Sequence, residues 1–182
     1  MTYPKEITLH VGGVHASAEP AVIKTLLGSC VAVCLWDREA FVGGMNHFLL
    51  PTGTGPDADD QPTRFGVHAM DRLIGEMVKL GADPRRCVAK IFGGASVLAI
   101  SGTAANIPRA NVQFVRTYLA RENLRVAASS LGGTLPRQIR FCTDTGKVMV
   151  RRVVGPKAQA LVTEEEQAER NRRARFGDVT LF

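Results

Sequence analysis

Absent from this chain is any apolar run of the roughly 18 residues that a membrane-spanning helix requires. Its first residues, Met-Thr-Tyr-Pro-Lys-Glu, hold no apolar signal-peptide core, so a cytosolic protein without membrane insertion is expected. Cysteine is sparse: Cys30, Cys34, Cys87 and Cys142 are scattered with no C-x-x-C spacing, which argues against a zinc site and against a disulfide framework. His10, His15, His47 and His68 form no metal-ligand spacing with them, so no metal is expected. Aromatic residues make up only 6% of the sequence, and the basic residues are strung out singly with no nucleic-acid motif, so the net charge of +6 is not read as a nucleic-acid surface. Neither of the later Gly-Gly pairs is followed by G-x-G-x-x-G or a P-loop, which leaves no sequence case for a nucleotide cofactor.

What is present fits one soluble globular domain, with 45% hydrophobic and 22% charged residues in 182. A chain of this length buries about 70% of its unfolded surface and needs no staples. Charge is unevenly spread. Residues 1–60 hold three Lys/Arg against seven Asp/Glu, whereas residues 61–146 hold twelve against five. The bland reading is a solvated basic face; the functional one is steering toward an acidic helical partner.

The informative stretch is Leu27 to Pro51, L-G-S-C-V-A-V-C-L-W-D-R-E-A-F-V-G-G-M-N-H-F-L-L-P. Two apolar runs, Val31 to Trp36 and Phe41 to Leu50, flank the tetrad Asp37 to Ala40, which is a hairpin signature. A loop of two residues (Arg38, Glu39) or four (Asp37 to Ala40) would set Cys30 directly opposite His47, on one face of the sheet. A three-residue loop, or a bulge at Gly43-Gly44, would turn His47 to the other face. A thiol beside an imidazole is the core of a cysteine hydrolase, because only the thiolate is a good nucleophile and the imidazole activates it. Gly28 and Ser29, small residues at the strand entry, would let a substrate carbonyl approach the main-chain N–H groups that serve as an oxyanion hole. The alternative is that Cys30 is a small buried hydrophobe and His47 a core histidine. Cys34, within an unbroken apolar run, reads as packing.

Elsewhere the patterning alternates strands with helices. Ile7, Leu9 and Val11 mark a first strand ending at Gly12-Gly13, and Ala21 to Leu27 a second that leads into the cysteine. Residues 51–62, rich in Gly, Pro and Asp, read as a long loop that could wall the thiol. A helix is expected from about Thr63 to Gly81, with His68 near its start in a packing or surface role. Cys87 to Phe92 reads as a buried strand ending in Gly93-Gly94-Ala95, a tight turn or a floor beneath the substrate. A second helix is expected from Asn106 to about Glu122, with Val112, Val115, Tyr118 and Leu119 inward. A strand at Leu124 to Ala128 and a hairpin around Asp144-Thr145-Gly146 follow. Arg137 could hold a carboxylate or be an ordinary surface group. Residues 163–175 place acids before bases, as a solvated helix would. The pattern implies one mixed α and β domain, with hairpin-connected sheets and two main helices.

The segments T-L-L-G-S-C-V-A-V-C-L-W-D and G-G-M-N-H-F-L-L-P resemble the signature of the chemoreceptor glutamine deamidases, the CheD family of bacterial chemotaxis. R-F-G-V-H-A-M-D-R-L-I, K-I-F-G-G-A, N-V-Q-F-V-R-T-Y-L, L-G-G-T-L-P-R and T-G-K-V-M-V-R-R-V resemble its later blocks in the same order, over roughly residues 5 to 155. The resemblance implies a Cys/His/Thr triad with Cys30 as nucleophile, His47 as general base and Thr25 as third member, acting on receptor glutamines without a cofactor. It also implies a layered sandwich like the catalytic domain of the cytotoxic-necrotising-factor toxins, in a domain of residues 1–160 with a charged extension over 161–182. Chemoreceptor helices would be the substrate and a CheC-type phosphatase a partner. Two other readings stand beside it: a non-enzymatic module that binds receptors or that phosphatase, and another cysteine hydrolase with the same Cys/His layout. For Thr25 the residue itself asks for no more than a place in an apolar strand.

Overall fold

A computed structural model of the chain describes residues 5–49, 65–97 and 106–176. The expected loop at 51–62 lies outside them. Among the described residues nine strands and three helices follow one another as β1 (Lys5–Thr8), β2 (Val14–Ser17), β3 (Ala21–Leu27), β4 (Val31–Asp37), β5 (Val42–Asn46), α1 (Gly66–Lys79), β6 (Val88–Gly93), α2 (Ile107–Arg121), β7 (Arg125–Leu131), β8 (Arg137–Cys142), β9 (Val148–Arg152) and α3 (Pro156–Phe176).

Two mixed sheets result. The first has the order β1-β3-β8-β9 and the second β2-β5-β4-β6-β7. Alternation explains how they stack. On β3, Ile23, Thr25 and Leu27 are buried while Lys24 and Leu26 between them are only half-buried, so one face of that strand looks inward. On β4 both faces are buried. Ala32 and Cys34 join Ile23, Leu27, Met45, Ile139 and Phe141 in the core between the sheets. Val31, Val33 and Leu35 point the other way, into a second core with Met70, Leu73 and Leu119 of the helices. The molecule is thus a layered sandwich, sheet on sheet on helices, as the family resemblance implied. A central strand buried on both faces explains why the β4 sequence is continuously apolar instead of alternating. Burying each such Leu, Ile or Met stabilises the fold by about 1.5–3 kcal/mol.

β6 and β7 pair in parallel, which demands a crossover, and α2 supplies it. β1 and β3 are also parallel, with register Ile7↔Ile23. β2 was not anticipated: V-H-A-S is too short and polar to announce itself, and its place comes from pairing with β5 through His15↔Met45. A third helix, α3, begins at Pro156, seven residues before the acidic run from which it was read.

The central hairpin corrects the expected register. Asp37 pairs with Val42 and Cys34 with Met45, and beyond the strands Val31 pairs with Phe48. The loop is therefore Arg38 to Phe41, and Cys30 does not stand directly opposite His47. The cause is Asp37, which stays in the strand and accepts the Glu39 and Ala40 N–H groups at 2.9 and 3.2 Å. Phe41 completes the turn at φ 54°. The pairing moves by two residues, not one, so the face is kept. His47 falls in register with Ala32, and Cys30 is its diagonal neighbour on the side that meets the first sheet.

Candidate active site

Thr25 and His47 come from different sheets and meet between them. The Thr25 Oγ1 lies 2.8 Å from His47 Nδ1 and 2.8 Å from the Leu9 carbonyl oxygen. A carbonyl cannot donate, so the single hydroxyl proton goes to Leu9 and the oxygen accepts Nδ1–H. That fixes the imidazole as the Nδ1–H tautomer and leaves Nε2 as the basic nitrogen. Nε2 is buried and has no hydrogen-bond partner among the described residues. The His47 main chain is pinned by the turn after β1, its N–H donating to Gly13 O at 3.0 Å and its carbonyl accepting Gly12 N–H at 2.8 Å. Burial, followed by the neighbouring His10, lowers its pKa to about 4 against the opposing pull of the Leu9 carbonyl. At neutral pH the ring is uncharged.

Cys30 precedes β4 on the same sheet face as His47 and is 6% exposed. The main chain around it is held peptide by peptide. Gly28 O accepts Ala95 N–H at 2.8 Å and Cys30 O accepts Gly94 N–H at 2.7 Å, while Ser29 O accepts Asn111 Nδ2 at 3.0 Å. In a trans peptide the C=O and the following N–H point in opposite directions. Anchoring Gly28 O therefore aims the Ser29 N–H, and anchoring Ser29 O aims the Cys30 N–H. The Gly93-Gly94-Ala95 turn is a buttress behind the cysteine segment. Residue 93 must be glycine: its φ is +112°, and a Cβ there would lie 2.1 Å from Cys30 O.

Ser29 N–H is already engaged. It donates to Glu165 Oε1 of α3 at 3.0 Å, in a slot that exists because residue 28 lacks a side chain; a Cβ on Gly28 would come within 2.2 Å of that oxygen. Of the residues singled out from the sequence, Thr25, Gly28, Ser29, Cys30 and His47 thus gather between the end of β3 and the start of β4. Asn111 and Glu165 were not foreseen. Asn111 had a signal, because it shares the buried helix stripe of Pro108, Val115 and Leu119, where a polar residue needs a partner. Glu165 had none, being one of three consecutive glutamates in a polar helix.

Other candidates fall away. Cys34 is 1% exposed and burial pushes its thiol pKa up, opposed by Lys90, as a packing residue's should be. His68 is exposed on α1. Arg137 is not an ordinary surface group. It is 6% exposed, and its guanidinium donates to Ser130 O, Ser130 Oγ and Gly132 O, bracing the second Gly-Gly turn. That turn lines an open cavity of about 430 Å³ with Arg116 and Arg152 on its walls. It joins the buttress through Gly132 N–H to Gly93 O at 2.9 Å and Ser96 N–H to Gly133 O at 2.8 Å. A basic hollow therefore adjoins the segment that supports Cys30.

Comparison with known proteins gives this arrangement its context. Residues 49–152 match the family model described as CheD chemotactic sensory transduction. A probable chemoreceptor glutamine deamidase CheD of Paraburkholderia xenovorans is 43% identical over 170 residues, covering 88% of this chain and 67% of that protein. One from Chromobacterium violaceum is 43% identical over 178 residues, covering 94% and 87%. Another, from Stenotrophomonas maltophilia, is 44% identical over 169 residues, covering 90% and 82%.

Proposed function

The chain belongs to the CheD family, and from that membership we propose that it is a chemoreceptor glutamine deamidase, hydrolysing receptor glutamine side chains to glutamate in chemotaxis. Its proposed nucleophile is Cys30, its general base His47 and its positioning residue Thr25. The observation that carries this reading is the hydrogen bond that holds His47 in one tautomer on the sheet face it shares with Cys30.

The resting imidazole is neutral, because burial holds His47 uncharged. As the sulfur attacks the carboxamide carbon, the thiol proton passes to His47 Nε2 and the carbonyl oxygen becomes an oxyanion. Main-chain N–H groups aimed by the Gly28 and Ser29 anchors receive that charge once the Glu165 carboxylate has left the Ser29 N–H, and preorganised donors of this kind are where such a site gains most of its rate. His47 then gives its proton to the amide nitrogen, the C–N bond breaks, ammonia leaves and a thioester remains. Water, losing a proton to His47, attacks the thioester. The tetrahedral species collapses to the glutamate carboxyl, and the sulfur regains its proton from His47. Groups of the chain and water complete the cycle.

The substrate helix would approach on the side of the Arg116 and Arg152 hollow, whose charge suits the acidic surroundings of a receptor modification site. No described helix is long and apolar enough to cross a membrane, in keeping with action from the cytoplasm on a receptor's cytoplasmic region. A CheC-type phosphatase is the further partner to assay, by co-purification with this chain.

Incubation with a recombinant cytoplasmic chemoreceptor fragment, followed by peptide mass spectrometry, tests the proposal. Glutamine-to-glutamate conversion that vanishes with Cys30→Ala is expected. Receptor binding and an unchanged cellular effect with Cys30→Ala would favour the non-enzymatic module instead.

A further inference from the structure

Helix α3 reaches the cysteine segment through a carboxylate. Glu165 Oε1 accepts the Ser29 N–H, and Oε2 is buried with no hydrogen-bond partner among the described residues. The rest of the helix gives little reason for such a position. No α3 side chain that the structure describes is fully buried; Leu161, Val162, Glu165 and Glu166 are only half-buried, and Glu164 is exposed. A polar helix held by so little apolar contact inserts an acid beside a main-chain N–H and buries its second oxygen. Burial accordingly raises the Glu165 pKa, and the Ser29 N–H offsets that only in part.

The chemistry of the occupant identifies the slot. Deamidation turns a glutamine side chain into a glutamate, and Glu165 is a helix-borne glutamate with one oxygen on a main-chain N–H adjoining the nucleophile. A glutamine in the same position would set its carbonyl oxygen on the Ser29 N–H and its amide nitrogen where Oε2 lies. We propose that α3 is an intramolecular product mimic: Glu165 fills the seat of the reacting side chain, and α3 lifts away before a receptor helix enters. This rests on the reading of Cys30 as the nucleophile. It also defines what the site accepts, namely a side chain of glutamine length projected from a helix among acidic neighbours, as Glu164, Glu165 and Glu166 are. The light packing of α3 lets a substrate helix displace it without unfolding the sheets. An occupant of this kind competes with substrate and so raises KM without touching kcat.

Two full-length variants test it. With a recombinant cytoplasmic chemoreceptor fragment as substrate, Glu165→Ala is expected to lower KM by roughly tenfold at unchanged kcat, the loss of one charge-assisted hydrogen bond in the competing helix. Glu165→Gln places an amide in the seat, and peptide mass spectrometry of the enzyme itself should show that amide converting to the acid on standing. The conversion should stop when Cys30→Ala is added. An unchanged KM for Glu165→Ala would overturn the occlusion, and an amide that persists at 165 through many turnovers would overturn the seat. In both cases a wild-type enzyme that still converts receptor glutamines would leave the function standing. If no form converts the receptor fragment, the function fails and this inference with it.

Discussion

The Thr25 hydroxyl receives the Nδ1 proton of His47 at 2.8 Å while giving its own proton to the Leu9 carbonyl. This relay selects the tautomer in which Nε2 is basic. Thr25→Val removes both bonds and frees the ring to turn or to take the other tautomer. Its kcat/KM should fall by one to two orders of magnitude, roughly, with stability lower by about 1–3 kcal/mol. Thr25→Ser keeps the hydroxyl and should recover most of the rate. Steady-state kinetics and thermal melts of the two variants separate the relay from packing, since both shrink or alter the side chain but only one deletes the oxygen.

Burial of His47 has a pH consequence of definite sign. Its folded pKa is about 4, below the ordinary value near 6.5. The unfolded chain therefore takes up a proton first as pH falls. The stability that the neutral ring contributes is fully present above about pH 6.5 and is lost progressively toward pH 4, by up to roughly 3 kcal/mol. The acid limb of kcat/KM should likewise track a group near 4, not one near 6.5. Chemical denaturation at several pH values and NMR titration of the His47 ring test both; a ring that titrates near 6.5 would contradict the assignment.

Asn111 acts through the Ser29 carbonyl, and hence on where the Cys30 N–H points. Asn111→Ala should lower kcat by about ten- to a hundredfold while changing KM little, because the loss falls on the transition state. Asn111→Gln, with an amide displaced by one methylene, should not restore it. A fall confined to KM would place Asn111 in substrate binding instead.

Asp37 ties the hairpin to the loop before β6. Its buried carboxylate pairs with Arg86 at 2.8 Å and accepts the Asp83 N–H at 2.8 Å. Burial alone would raise its pKa, but Arg86 and the Asp83, Ala40 and Glu39 N–H groups hold it at about 2. Asp37→Asn should cost about 2–3 kcal/mol of stability. Because the folded carboxyl pKa is depressed, the wild-type advantage over the variant should be full above about pH 4 and vanish as pH falls toward 2. Urea melts of both proteins across that range measure it.

Periodicity in the sequence reported β3, α1 and α2, because each buries one continuous face, and the Asp144-Thr145-Gly146 turn reported the β8–β9 hairpin. It could not report β2, whose strand character lies in its partner β5. The cysteine and histidine were legible as a pair on one face, since the correct pairing differs from the expected one by two residues and a two-residue change preserves the side of the sheet. The observed loop, Arg38 to Phe41, was neither of the two offered, for want of the partners of Asp37: Arg86 and Asp83 lie far along the chain. Thr25 gained its place from family resemblance, and from geometry only when the two sheets were stacked. Glu165 was illegible because three consecutive glutamates in a polar helix give no sign of which acid turns inward.

The central claim is that the Cys30 sulfur, served by His47, attacks receptor glutamine. The most direct measurement is peptide mass spectrometry of a cytoplasmic chemoreceptor fragment incubated with wild type, Cys30→Ala and Cys34→Ala, the last removing a nearby thiol that lies within β4 on the same sheet face. Conversion by wild type and Cys34→Ala but none by Cys30→Ala is the predicted result. Conversion that survives Cys30→Ala, or that depends on Cys34, would contradict it.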